Sequence, residues 1–582
     1  MVFTTPEWVP QMPFEIPDSL SIGQFMQNEK LRPIPATQRR HPFTCGLTGV
    51  SYSHGDLFSR PEKLARSLAK AHGWNDTTNS PWEKVVCIFS LNSIDYLTVA
   101  HATHRLSGIV TPANAAYTVE ELTHQLVSSG SKVLFTCASL LKIARKAAQG
   151  AGLARESVYL IQIPDEEKLS DQAFITLDRL IKESEHAPPL EPLTFMPGQG
   201  AQQTAFLCYS SGTSGQPKAV KISHYNVIAN IVQQCTYESV GRRAKGVKTQ
   251  VLLAPLPMSH IYALVVASHA AVWRGDGYVV LPKYDFHWFL EAIQRFKVEQ
   301  ILVVPPILLQ MLRMQNICAK YDLSSVRFLF SGAAPLGEET IREFGRIYPK
   351  WTIAQAYGMT ETSVCVTVPS EHEIVARASG SLLPKTSVKL MGEDGGEIRG
   401  LEAPGEILVQ SPSVVLGYLQ SDKATAETFV EHSDGRWVRT GDIGLFTLSP
   451  SGNEQLVVED RIKELIKVMG HQVAPAELEA HLLAHTAVAD CAVIQVPDPK
   501  AGEVPKAFVV PSAAFHQGDA KNLARLGQEL STWVTDHKSA YKALRGGVEF
   551  LDAIPKSPSG KILRRNLRER ERRHRASLKA RM

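Results

Sequence analysis

Residues 209–220 read YSSGTSGQPKAV, and this stretch limits what the chain can fold into more than any other. Gly212 and Gly215 let backbone N–H groups close around an anion, the hydroxyls of Ser210, Ser211, Thr213 and Ser214 can donate to its oxygens, and Lys218 supplies the countercharge. A flexible Ser/Gly surface loop has the same composition. The flanks favour the anion: 205–209 is an apolar run that reads as a strand, and 226–233 reads as the start of a helix, so strand, phosphate loop and helix are expected in that order. Gln216 and Pro217 separate the lysine from the last glycine, which excludes a Walker A loop.

The rest of the chain supports an α/β class. Apolar strands at 85–89, 109–111 and 132–136 alternate with helical segments at 93–106 and 119–128, the pattern of a parallel sheet, and it resumes at 300–304 and 326–330. From 382 to 446 the texture changes to short β-like runs with Gly and Pro turns, as at 405–410, which predicts a β-rich subdomain. Beyond 457 the sequence VEDRIKELIKVMGHQVAPAELEAHL reads as strand, Gly470 turn, strand and a helix opening at Pro475. Strands at 488–496 and 507–511 and a helix at 523–537 complete a small α+β domain. A chain of 582 residues exceeds one core, so a large N-terminal body over 1–459 and a small C-terminal domain over 460–582 are expected, joined near Asp460.

The net charge of +4 is too small to demand a nucleic-acid partner. The cysteines stand singly, with no C-x-x-C pair, so neither a zinc site nor a disulfide framework is suggested and a reducing compartment is favoured. The uncharged run 251–273 is long enough to span a bilayer, but Pro255, Pro257, His260 and His269 mark it as protein interior. The amino terminus lacks a basic segment followed by an apolar one, so no secretory signal is expected.

Further segments carry chemistry: SGAAPLG at 331–337, QAYGMTET at 355–362, RTGDIG at 439–444, DRIKELIK at 460–467 and PKSPSGKILRR at 555–565. Together with the phosphate loop, and in this order, they resemble the adenylate-forming superfamily of acyl-CoA synthetases, luciferases and peptide-synthetase adenylation domains, from about Tyr52 to Arg565. LPMSHIYAL at 256–264 and IKVMGHQVAPAELE at 466–479 are most similar to 4-coumarate:CoA ligase-like enzymes. The resemblance implies two half-reactions. A carboxylate attacks the α-phosphorus of ATP to give acyl-AMP and pyrophosphate, and a thiol, here of coenzyme A, then displaces AMP.

The roles implied have physical reasons. Glu361, beside Thr360, offers a hard oxygen to Mg²⁺, though such a carboxylate also serves in surface ion pairs. Asp442 can accept both ribose hydroxyls with Arg461 adding a donor, or can merely stabilise its turn. Tyr357 offers a flat face for adenine and Ala333 a close backbone approach. Lys561, in a loop where lysine is ordinarily solvated, is placed by the resemblance between the attacking carboxylate and the α-phosphate, where an ammonium stabilises the transition state. Lys467 lies on another element of the same small domain, so the resemblance implies a rotation about Asp460 that presents Lys561 for adenylation and the 467–472 loop for thioester formation. Lys463 contacts nucleotide in one of those states.

By the same resemblance His260 gates the acyl pocket, although a lone histidine is more often part of a core. Tyr262 and Val266 form one wall, and Gln355, Ala356 and 364–368, including Val364 and Val368, form the other. Lys283 touches the CoA phosphates, and Met469 and Gly470 flank the pantetheine arm. The chain departs from its plant relatives at several points. Ser214 replaces threonine, Met469 replaces a lysine facing CoA, and Val266 and Ala356 replace serine and glycine, which makes the pocket more apolar and tighter. An aryl, arylalkanoic or medium-chain acid is expected. Loading of a carrier-protein thiol in a secondary-metabolite pathway, a luciferase-like oxygenase and a non-catalytic binding protein are the competing readings. Ala580, Arg581 and Met582 resemble a peroxisomal address read by an import receptor, with the cytoplasm as the alternative. The basic run before them resembles the context of such an address or forms an exposed charged helix.

Overall fold

Val85–Phe89 is buried at every position and lies inside a seven-stranded sheet ordered Gly417–Tyr418, Lys218–Ser223, Thr204–Ser210, Ile109–Pro112, Val85–Phe89, Val133–Thr136, Val158–Leu160. The last five strands are parallel, as continuous apolar runs joined by helices require, with Tyr96–Arg105 and Val119–Ser129 among the crossovers. This computed structural model describes all residues except 76–78, 167–173, 211–216, 470, 513–514, 516–519, 558–559 and 580–582, and not the side chains of 520 and 577–579.

A second seven-stranded sheet runs Thr352–Gln355, Phe328–Ser331, Gln300–Val303, Val251–Leu253, Gly277–Val280, Phe43–Cys45, Ser51–Tyr52, parallel except at the last pair. One hydrophobic cluster spans both sheets. It includes the helix His224–Ala244 and the π-helix Tyr262–Ala271, which pack on each other. The run 251–273 is therefore a strand followed by a buried π-helix. Among the described residues, no helix is long and apolar enough to cross a membrane.

One expectation is corrected here. The phosphate loop does not lead into a helix. The chain returns as the strand Lys218–Ser223, antiparallel to Thr204–Ser210 with Ser210 opposite Lys218, and the helix opens only at His224. Val220 and Ile222 at alternate positions carry the period-two signal of that strand. Ser223 caps the helix, its Oγ accepting from the Asn226 N–H at 3.1 Å while its own N–H donates to the Asn226 side chain at 3.0 Å.

The β-rich part of the body holds Ser387–Met391, Gly405–Gln410, Gly435–Leu448 and Phe429–His432, with Glu454–Arg461 also paired to Gly435–Leu448. Phe3 bridges to Val388 and stacks on Phe446 with ring centroids 3.8 Å apart, so the first residues strap this sheet. A separate hydrophobic cluster runs from Ile466 to Leu567 around a mixed sheet of His471–Val473, Ile466–Val468, Gly502–Pro511, Val488–Asp498 and Val548–Phe550. The helix Arg564–Lys579 packs its start against this cluster through Leu567, while most of its later described residues are exposed, as a charged surface helix would be. Arg564 is 9% exposed because it neutralises Glu464 and Glu479 in the interior.

Candidate active site

The hairpin that carries the phosphate loop brings Ser210 and Lys218 side by side, and Ser211, Gly212, Thr213 and Ser214 lie outside the described residues. At its base Ser210 Oγ donates to Glu361 Oε1 at 3.2 Å, and the Tyr418 hydroxyl donates to the same oxygen at 2.9 Å. Lys218 Nζ stands 5.0 Å from the Tyr418 ring centroid. Glu361 is thus buried at the base of this hairpin, beside Ser210 and Tyr418, and not paired at the surface. Tyr418 was not foreseen; its only sequence signal is a short G-Y-L run.

Glu361 sits in the turn Thr360–Thr362, and the next two residues are strained: Ser363 has φ 53° and the β-branched Val364 φ 104°. Such conformations cost about 1–3 kcal/mol each and persist only where the surroundings over-determine them. Here the Thr362 hydroxyl bridges Met359 O and Val364 O at 3.1 and 3.2 Å. Gly358 is required beside this turn, because a Cβ there would stand 1.5 Å from the Val364 carbonyl oxygen. Thr360 is half-buried in the turn.

Strand pairing sets Asp442 opposite Arg461. Arg461 Nε lies 3.3 Å from Asp442 Oδ1, and the Tyr357 hydroxyl donates to Oδ2 at 2.7 Å. Burial pushes the Asp442 carboxyl above the usual carboxylate range, against the pull of Arg461 and Tyr357. Ala333 has φ 67°, and Gly332 beside it faces the Tyr262 ring, which would stand 3.1 Å from a Cβ there. Gln355 accepts from the Leu336 N–H at 3.1 Å and donates to Ala376 O at 3.4 Å, so its side chain ties down the 331–337 loop. The Ala356 N–H reaches Ser331 O at 3.0 Å.

The small domain delivers Lys561 on a turn closed by Ser557 N–H to Lys561 O at 2.8 Å and Lys561 N–H to Ser557 Oγ at 3.2 Å. Gly560, at φ 81°, lies against Val304 of the large body, a Cβ there standing 3.0 Å from Val304 Cγ2. Burial, helped by Arg461, pushes the Lys561 ammonium down to about 8, while Glu464 and Asp442 pull the other way. Burial and then the charge of Lys561 push His260 down to about 4, so this imidazole is neutral at physiological pH. Lys561, His260, Asp442 and Arg461 therefore share one electrostatic environment. His260 is held by the Tyr262 N–H, which donates to its Nδ1 at 3.3 Å. Asn92, also unforeseen, fixes the 256–260 segment by donating to Leu256 O at 2.8 Å and accepting from Met258 N–H at 2.7 Å. Neither bond has a sequence pattern.

The Tyr262 hydroxyl donates to Phe330 O at 3.0 Å, and the π-helix carrying Tyr262 and Val266 packs on Val364–Val368. Val266, Val364 and Val368 are buried. The thioester group of residues is not gathered at this site. Lys467 is exposed and borders a separate cleft of about 570 Å³ together with Gln472, Glu393 and Arg439. Lys463 and Lys283 are exposed, Met469 is exposed at φ 48°, and Gly470 lies outside the described residues.

A hairpin with Ser210 opposite Lys218, a buried Asp442 carboxylate flanked by Tyr357 and Arg461, and the Lys561 turn from a second core are the arrangement found where the two cores meet. The chain matches the AMP-binding enzyme family over residues 34–419 and the AMP-binding enzyme C-terminal domain over 477–561. It belongs to this family, the adenylate-forming superfamily of its motifs. Among curated proteins it is 39% identical to the acyl-CoA ligase easD of Emericella nidulans over 98% of this chain and 100% of that protein. It is 37% identical to the acyl-CoA ligase AKT1 of Alternaria alternata over 98% of this chain and 97% of that one. The fold is similar to that of the anthranilate CoA ligase AuaEII in complex with anthranoyl-AMP, with a TM-score of 0.77 at 21% identity over 95% of this chain and 97% of the other. ATP-bound MatB from Rhodopseudomonas palustris gives 0.75 at 25% identity over 94% and 99%.

Proposed function

We propose that this chain is an ATP-dependent acid:CoA ligase that works through an acyl-AMP intermediate, with the two half-reactions divided between two faces of its small domain. The observation that carries the reading is that the turn bearing Lys561 lies against Val304 of the large body, where Lys561 feels the charges of Arg461 and Asp442 and His260 feels that of Lys561.

In the first half-reaction a carboxylate oxygen of the acid bonds to the α-phosphorus of ATP as the bond to pyrophosphate breaks. Ser210, Lys218 and the 211–216 loop hold the departing phosphates. Asp442 and Arg461 hold the ribose, and Tyr357 and Ala333 frame the base. Lys561 bridges the nucleophile and the α-phosphate, cancelling charge as it builds. Glu361 fits a magnesium site of the kind that uses one carboxylate and takes its other ligands from phosphate and water: it is one buried carboxylate at the base of the phosphate hairpin, and no group of three or more potential ligands occurs among the described residues. Bound Mg²⁺ supplies positive charge to the phosphate oxygens.

In the second half-reaction the thiol of CoA loses its proton and its sulfur attacks the acyl carbon, and AMP leaves with the carboxylate oxygen. Lys467, Met469, Gly470 and Lys283 serve this step after the small domain rotates about Asp460. His260 then lies at the mouth of a pocket walled by Tyr262, Val266, Val364, Val368 and Ala356, whose apolar, tight lining suits an aryl, arylalkanoic or medium-chain acid.

A pyrophosphate-release screen over aryl, fatty and short-chain acids, with and without CoA, tests this reading. Acid-dependent pyrophosphate release with thioester formed only when CoA is present is the expected result. Release with no thioester would move the acceptor from CoA to a carrier protein.

A further inference from the structure

The helix His224–Ala244 follows the return strand of the phosphate hairpin directly and is buried along most of its length, yet it presents amide side chains to the interior: Asn226, Asn230 and Gln234, four residues apart on one face. Asn230 is fully buried and pairs with the backbone of Cys365 as a neighbouring strand would. Its Nδ2 donates to Cys365 O at 2.8 Å, and its Oδ1 accepts from the Cys365 N–H at 3.2 Å. Gln234 Nε2 donates to the same Oδ1 at 2.5 Å, which fixes which end of the amide faces which group. Cys365 is the first residue past the strained pair Ser363 and Val364, and these follow the turn that carries Glu361. One turn earlier on the helix, Asn226 Nδ2 donates to Pro412 O and Val414 O, both at 3.0 Å. Val415 then donates its N–H to Glu361 O at 3.1 Å, and Tyr418 reaches the Glu361 carboxylate.

We propose that Asn230 is a positioning residue for the adenylation step: by clamping the Cys365 backbone it holds the strained 363–364 turn and thereby keeps the Glu361 carboxylate aimed at the phosphate hairpin. The clamp is placed where local preference opposes the conformation. A β-branched residue at positive φ relaxes unless something grips the chain beyond it, and although Cys365 lies opposite Gly358 in the hairpin register, its N–H and C=O are met by the Asn230 amide. One asparagine meets both needs. Asn226 grips the segment that leads to Tyr418 through Pro412 O and Val414 O, so one helix holds both the turn of Glu361 and the approach of the Tyr418 hydroxyl that meets its Oε1.

This inference rests on the reading of Glu361 as a phosphate and magnesium residue, and a mutant cycle separates the two. With Asn230→Leu, acid-dependent pyrophosphate exchange is expected to fall about tenfold or more, with a raised KM for Mg-ATP and a higher magnesium requirement. Thioester formation from supplied acyl-adenylate is expected to change less than about twofold. Asn230→Asp keeps the shape and the acceptor but loses the donor, and is expected to lose exchange in the same way; it serves if the leucine variant does not fold. In the double variant with Glu361→Gln, the losses are expected not to add, because both act through one carboxylate. Additive losses, or an equal fall of both half-reactions, would overturn the positioning role. An unchanged magnesium dependence in Glu361→Gln alone would instead remove the reading of Glu361.

Discussion

Lys561 is mostly charged at neutral pH, but its proton is within reach of mild alkali. Its ammonium, pushed to about 8 by burial and by Arg461, is cationic below that pH and loses its proton above it. In the proposed mechanism the cation is the form that bridges carboxylate and phosphate, so kcat/KM for adenylation is expected to decline on the alkaline side with an apparent pKa of about 8. His260, titrating at about 4, adds no limb there. Lys561→Arg keeps its charge well above that range and is expected to work more slowly but without the alkaline limb; a limb that persists in this variant belongs to another group. Lys561→Ala is expected to lower adenylate formation by about a hundredfold or more while sparing thioester formation from supplied acyl-adenylate. Lys467→Ala is expected to do the reverse, and normal CoA transfer in it would refute that assignment.

At the scale of elements, the hairpin Tyr357–Met359 with Val364–Val368 is set by one glycine. Gly358→Ala brings a Cβ onto the Val364 carbonyl, so a loss of about 3 kcal/mol is expected in denaturant unfolding, together with a weakened magnesium response. A variant as stable as the parent would show that the turn relaxes freely. The alternating strands and helices were legible because apolar runs report burial directly. What apolar runs do not report is the partner: one expected α/β pattern became two sheets, and the return strand Lys218–Ser223 went unread behind its lysines. Likewise the sequence segments marked Glu361 and Asp442, while Tyr418, Asn92 and Asn230 carry no periodic signature. Their partners are backbone groups and a carboxylate distant in sequence, and only the folded chain brings them together.

At the scale of the molecule, Lys561 lies in the field of Asp442 and Arg461 while Lys467 borders a separate cleft, and the proposed division of the two steps therefore calls for a second arrangement of the two cores. Gly337 of the large body faces Ala480 of the small domain closely enough that a Cβ on Gly337 would stand 3.1 Å from the Ala480 Cβ, so a few tenths of an ångström of opening would reach the disulfide range of about 3.5–4.5 Å. Gly337→Cys with Ala480→Cys is expected, once oxidised, to keep pyrophosphate exchange and to block thioester formation until reduced. Thioester formation undiminished by the oxidised bridge would refute the rotation. Beneath all of this lies the formation of acyl-AMP. It is tested most directly by acid-dependent exchange of labelled pyrophosphate into ATP by the purified, folded chain with magnesium and a broad panel of acids. Exchange that appears with a subset of acids and disappears in Lys561→Ala is the expected result; no exchange with any acid would contradict the account.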